Sequence, residues 1–292
     1  MTSEPDQRIA FTVHYDGRAF HGWQLQPTDP SVQGELERVL SRLFNRPARV
    51  TGSGRTDRGV HATGQVASVD APASWTAPAL RRAMNALLPS TVWIAHAEPV
   101  TAGFHPRFDA VARSYIYHVG LAESTASPFH SPWCWPLRRP LDLELMREAS
   151  ATLVGEHSFR AFAKAGQEER GDHCIVASAE WVAWEGLGLE FRITANRFLH
   201  HMVRYLVGTL VEIGRGGRPE EDIVRMLAGE PGVETSPPAP SEGLFLAAVR
   251  YPPGAYSAPD TGSSGADLEN NGRNASLLSN SSPGQKRSSD IT

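Results

Sequence analysis

A chain of 292 residues with 40% hydrophobic residues, seven Trp and eleven Phe is long enough to bury one large core or two medium ones. Its formal net charge of -4 excludes an overall positive field of the kind that draws a protein to nucleic acid, so any polyanion site has to be a local patch. Two distant cysteines, Cys134 and Cys174, form neither a C-x-x-C pair nor a disulfide framework. A reducing, cytoplasmic setting is expected. The opening MTSEPDQRIAFTV has no basic start followed by an apolar run, and no stretch reaches membrane-spanning length, so a soluble protein with no membrane partner is expected.

Along the chain, residues 8–14 alternate Ile9, Phe11 and Val13 with smaller or polar residues, the pattern of a half-buried strand. Ser31 then caps a helix whose Val32, Leu36, Val39, Leu40, Leu43 and Phe44 share one face. Strands are predicted at 48–51, 65–70 and 92–97, with a helix over 78–87. Between the first two of these strands lies GSGRTDRGVHATGQVA, in which Gly52, Gly54, Gly59 and Gly64 surround Arg55, Asp57 and His61. It is neither a dinucleotide fingerprint nor a Walker loop, because Asp57 stands where the third glycine belongs and no Gly-Lys-Ser/Thr follows. A tight turn around one carboxylate, close to a ligand, is one reading; a well-made Asx turn is the other.

FHPRFDAVARSYIYHV places Phe104, His105, Arg107 and Arg113 ahead of Tyr115 and Tyr117, which share one face of a strand predicted at 113–119. Basic residues interleaved with aromatics grip phosphates and stack on bases, while core packing is the alternative for both tyrosines. Asp142 caps a helix reaching residue 154, and residues 175–184 and 187–195 read as a hairpin. NRFLHHMVRYLVGTLVEIGRGG follows as one long helix with Asn196 as its cap and Gly214 as its stop. On that helix His200 and His201 point about 100° apart, the wrong geometry for two ligands of one metal. Arg204 in so apolar a helix needs a partner or an exit to solvent, and Asp57 is the carboxylate whose setting most needs a cation. A helix from Pro219 to near Gly229 and a strand over 244–251 close the body.

The body divides into two halves, 1–109 and 110–253, each mixing strands with helices, which points to an α+β fold. Residues 254–292 are rich in Ser, Gly and Asn and form a low-complexity tail expected to be disordered. Lys164 and Lys286 are the only lysines, so arginine carries nearly all the positive charge. Arginine forks onto phosphates and stacks on bases, which permits RNA binding without requiring it.

YDGRAFHGWQ, GRTDRGVHATGQV, HPRFDAVARSYIY, FLHHMVRYLVGTLVEIG and EGLFLAAVRYP, in this order over residues 8–252, together resemble the TruA family of tRNA pseudouridine synthases. Arg58 stands where alanine is common in that pattern, and Pro106 replaces the alanine of a frequent His-Ala-Arg. The resemblance implies a central, mostly antiparallel sheet flanked by helices around a cleft, made of two similar halves, and a homodimer. It implies isomerisation of uridine at positions 38, 39 and 40 of the tRNA anticodon stem-loop, after base flipping, with no cofactor and no metal. Asp57 matches the essential carboxylate, Arg55 the residue that assists flipping, Tyr115 the tyrosine packed on the target base, Arg107 a tRNA-contacting position and Arg204 the basic partner of the carboxylate. His61 is read as a loop-orienting residue. Two other classes stay open: a catalytically silent RNA-binding protein, and an acid–base hydrolase using Asp57 and His61.

Overall fold

The computed structural model describes residues 6–164 and 171–256. The expected disordered tail therefore lies, after Tyr256, outside the described residues. In β1 (Gln7–Tyr15) the alternation works as expected, Ile9, Phe11, Val13 and Tyr15 being buried while Arg8, Thr12 and His14 keep some exposure. It pairs antiparallel with β3 (His61–Ala71) on one side and β4 (Val92–Pro99) on the other. Ser31 accepts from the Gly34 amide to cap α1 (Val32–Phe44), and Thr76 accepts from Ala79 to cap α2 (Ala77–Leu87). The apolar faces of both helices, Leu36, Leu40, Leu80 and Met84 among them, close over β1 and β3 in one core.

The expected strand over 48–51 shrinks to β2 (Thr51–Gly52), paired with β3. The Ala48 amide donates instead to Ser41 Oγ, and the Val50 amide to Glu37 Oε1, so side chains of α1 take the donors a strand would have used.

The second half contains β5 (Ala112–Gly120), β6 (Trp135–Pro136), α3 (Leu143–Ala151), β7 (Gly155–Ser158), β8 (His173–Trp184), β9 (Gly188–Ala195), α4 (Met202–Gly214), α5 (Asp222–Leu227) and β10 (Leu244–Arg250). Asp142 caps α3 as read from sequence, but the helix stops at Ala151. Its core joins Tyr117, Trp181 and Phe191 from the sheet to Met146, Leu206 and Leu210 from the helices, all 2% exposed or less. Truncating one such aromatic to alanine costs about 3–5 kcal/mol.

The strands form one sheet in the order β4-β1-β3-β10-β5-β9-β8-β7. Pairing is antiparallel except for β10 with β3 and β5 with β6. The α+β class expected from the sequence is the observed one. β10 belongs by sequence to the second half, yet it lies between β3 and β5 and makes the two halves one sheet. Among the described residues no helix is long and apolar enough to cross a membrane.

Candidate active site

Asp57 stands in a turn closed by the Val60 amide donating to its carbonyl at 3.2 Å, with Gly59 at φ 81°, a conformation that suits glycine. Around the turn, Tyr15 and Thr56 share a hydroxyl hydrogen bond of 2.8 Å, and the Trp23 amide donates to the Thr56 carbonyl at 3.1 Å. Ser53 Oγ donates to Gln65 Oε1, whose own amide donates to the Gly54 carbonyl at 2.9 Å. Just beyond the loop, a Cβ at Gly64 would lie 2.0 Å from the Ala247 carbonyl oxygen. Only glycine lets β3 meet β10 there.

Arg113 on β5 fixes the loop from the other side. Its guanidinium donates to the carbonyls of Ser53, Arg107, Ala110 and Asn196 at 2.7–3.1 Å. The sequence placed Arg113 among residues that could grip phosphate; it instead holds the segments bearing Asp57, Arg107 and the paired histidines. No local signal reveals this, because all four acceptors are main-chain atoms.

These segments border a cleft of about 1150 Å³ over the middle of the sheet. Arg55, Arg58, Arg107, Arg113, Lys164 and Arg197 line it, against Asp57 as the sole carboxylate among its lining residues. The net negative chain thus carries a strongly positive local surface. Arg55 and Arg107 are exposed. Tyr115 lines the cleft beside Leu244 and Leu246 and meets Phe198 edge-on at 4.9 Å. Burial, reinforced by the charge of Asp57, pushes the Tyr115 phenol far above its ordinary pKa, so it keeps its proton at neutral pH.

Arg204 is placed differently from expectation. Its Nε donates to the Ala239 carbonyl at 2.7 Å, its own carbonyl accepts from the Ala239 amide at 2.9 Å, and among the described residues no ion pair joins it to Asp57. It lines a second cavity of about 460 Å³, with Arg18, Arg58, Ser241 and Glu242, which Asp57 and His201 also border.

The groups in contact with Asp57 are His200 and His201, with Nε2 atoms 3.1 Å from Oδ1 and 3.3 Å from Oδ2. The expected helix from Asn196 begins only at Met202, because Asn196 is committed to β8: its amide donates to the Ile175 carbonyl and its Oδ1 accepts from the Ile175 amide. With residues 196–201 outside the helix, both rings face one carboxylate. The helical argument against a shared metal therefore falls; one donor atom each from Asp57, His200 and His201 lie within 4.8 Å of one another, a set that could hold a metal ion.

His61 is 1% exposed, its Nδ1 accepts from the Gly17 amide at 3.2 Å, and its ring lies against Phe245 and Trp133. Burial pulls its pKa down to about 4. It is a buried packing residue that lines neither cavity bordered by Asp57, so it is not placed to act as the base of the hydrolase alternative.

A family described as tRNA pseudouridine synthase matches the chain over residues 11–109 and 149–252. The chain is 40% identical over 262 residues to "tRNA pseudouridine synthase A" of Paraburkholderia phymatum, covering 88% of this chain and 96% of that one. It is 38% identical to the protein of the same description from Myxococcus xanthus, covering 84% and 92%. With that of Halalkalibacterium halodurans the identity is 41%, covering 82% and 90%. The residues matched by the family include the Asp57 loop, His200, His201 and Arg204, and the chain belongs to the tRNA pseudouridine synthase family.

Proposed function

We propose that this enzyme converts uridine to pseudouridine at positions 38, 39 and 40 of the anticodon stem-loop of tRNA, acting in the cytoplasm as a homodimer and without a cofactor. The reaction is an isomerisation: the N1–C1′ bond breaks, C5 bonds to C1′, C5 loses a proton and N1 takes one. A uridine in a stem is first swung out of the stack, at a cost of a few kcal/mol. Arg55, exposed on the rim two residues before Asp57, assists that step. Arg107 holds the phosphate backbone on the opposite rim. Tyr115 packs against the extruded base, and its hydroxyl serves the proton transfer at C5. Asp57 either adds to C1′ or takes a proton from C2′ to leave a glycal; in both cases it reacts ionised. Arg204 supports the site from the smaller cavity that Asp57 also borders.

The observation that carries this reading is a half-buried carboxylate, 24% exposed, standing alone among six cationic side chains in a cleft large enough for a nucleotide and its flanking phosphates. An unmodified tRNA transcript carrying tritium at uridine C5 tests it. Tritium release by the wild type and none by Asp57→Asn, with folding and tRNA binding retained, is the expected result. Mapping the product residue tests the anticodon-arm assignment separately, and sedimentation tests the dimer, which rests on the family resemblance.

A further inference from the structure

A carboxylate that reacts with a sugar has to present one oxygen in a fixed direction. Around Asp57 the groups placed to set that direction are imidazoles. His200 Nε2 takes one carboxylate oxygen and His201 Nε2 the other. The two rings brace each other with centroids 4.1 Å apart, and the His200 carbonyl accepts from the Lys164 amide at 3.1 Å. His201 has φ 64°, in the left-handed region. That conformation is strained for a non-glycine residue and persists where the surroundings impose it. Here it brings the ring onto Asp57 one residue before α4 begins.

The other charges around the pair are Arg204 on α4, Arg18, Arg58 and Glu242 on the walls of the smaller cavity, and Lys164.

We propose that His200 and His201 are positioning residues that hold the Asp57 carboxylate at the angle in which it meets the ribose. The proposal rests on Asp57 being the reacting carboxylate.

His201→Gly tests it cleanly, because glycine accepts positive φ and the variant loses only the ring. The expected result is a melting temperature at or above that of wild type and unchanged tRNA affinity. The single-turnover rate at saturating enzyme falls on the order of 10- to 100-fold, with partial recovery when imidazole is added to the buffer. His201→Asn, which tolerates the same backbone and keeps an N–H, retains an intermediate rate. Rates within about two-fold of wild type in both His201→Gly and His200→Ala, a change well under one decade, overturn the proposal. So does a rate loss that tracks a fall in melting temperature and does not respond to imidazole. Cobalt(II) is the probe for the metal alternative: visible tetrahedral bands together with a chelator-sensitive gain in rate would make the cluster a metal centre and overturn the positioning role. An active Asp57→Asn enzyme removes the parent reading, whereas an inactive Asp57→Asn beside fully active His201→Gly and His200→Ala removes this proposal alone.

Discussion

Arg113 Nη2 donates to the main-chain carbonyl of Ser53 at 3.1 Å, joining β5 to the Asp57 loop across 60 residues of sequence. The same guanidinium reaches Arg107 and Asn196, so one side chain sets the spacing between both rims of the cleft and the segment leading to His200. Burial lowers its pKa, but an arginine stays charged, and four carbonyls compensate it.

Arg113→Lys should therefore damage both fold and rate. One ammonium cannot reach four acceptors held by a planar fork. A loss of about 2–3 kcal/mol is expected, or roughly 4–10 °C in melting temperature for a chain of this size. Single-turnover tritium release should slow on the order of ten-fold or more as the loop loses its spacing. An unchanged melting temperature would mean that water replaces the fork.

For Arg204→Leu a loss of stability is expected as well as a loss of rate. With its Nε on the Ala239 carbonyl, and Ala239 1% exposed, removal leaves a buried acceptor unpaired at about 1–3 kcal/mol. Melting temperature and rate should fall together, and Arg204→Lys should recover part of both. A slow enzyme with an unchanged melting temperature would restore a direct role for Arg204 beside Asp57.

His61 gives the protein a predictable response to acid. Its folded pKa of about 4 lies below the ordinary 6.5, so the unfolded chain binds a proton that the folded chain refuses. Stability is full above pH 6.5 and declines as pH falls from 6.5 to 4, by about 3 kcal/mol in all. In His61→Phe, where a ring still stacks between Trp133 and Phe245, that slope should flatten even though the Gly17 hydrogen bond is lost. Urea unfolding at intervals across the window measures it, and an unaltered slope would assign the acid sensitivity to other groups.

Arg55 is proposed to act before the chemistry. Arg55→Ala should slow modification of a stem uridine much more than that of the same uridine opposite a mismatch, where extrusion is cheaper. Asp57→Asn should be inactive on both substrates. Equal slowing of Arg55→Ala on matched and mismatched tRNA would move Arg55 from extrusion to the chemical step.

The strands whose faces differ, such as β1 and β9, and the helices with a cap and one apolar face, such as α1 and α2, were readable because their signals are local. The start of α4 was not. Phe198 and Leu199 continue its apolar pattern and Asn196 resembles a cap, but the pairing of Asn196 with Ile175, distant in sequence, decides the matter. The error carried into the site, since a helix through His200 and His201 would have sent their rings apart. Asp57, Arg55, Arg107 and Tyr115 were gathered in advance by the family resemblance that their motifs carry; the partner of Arg204 and the acceptors of Arg113 are main-chain carbonyls, which no residue type announces.

The position of β10 has a consequence for the order of assembly. Residues 7–99 and 112–195 supply the outer strands on the two sides, and the strip that joins them, 244–250, leaves the ribosome after both. Its parallel pairing brings Phe245 beside His61, a closure over nearly the whole body that is slow compared with the hairpins on either side. Leu244 and Leu246 of that same strip line the cleft next to Tyr115. A nascent chain can thus fold each side of the sheet early and still have no floor on which to seat a nucleotide until its body has been translated.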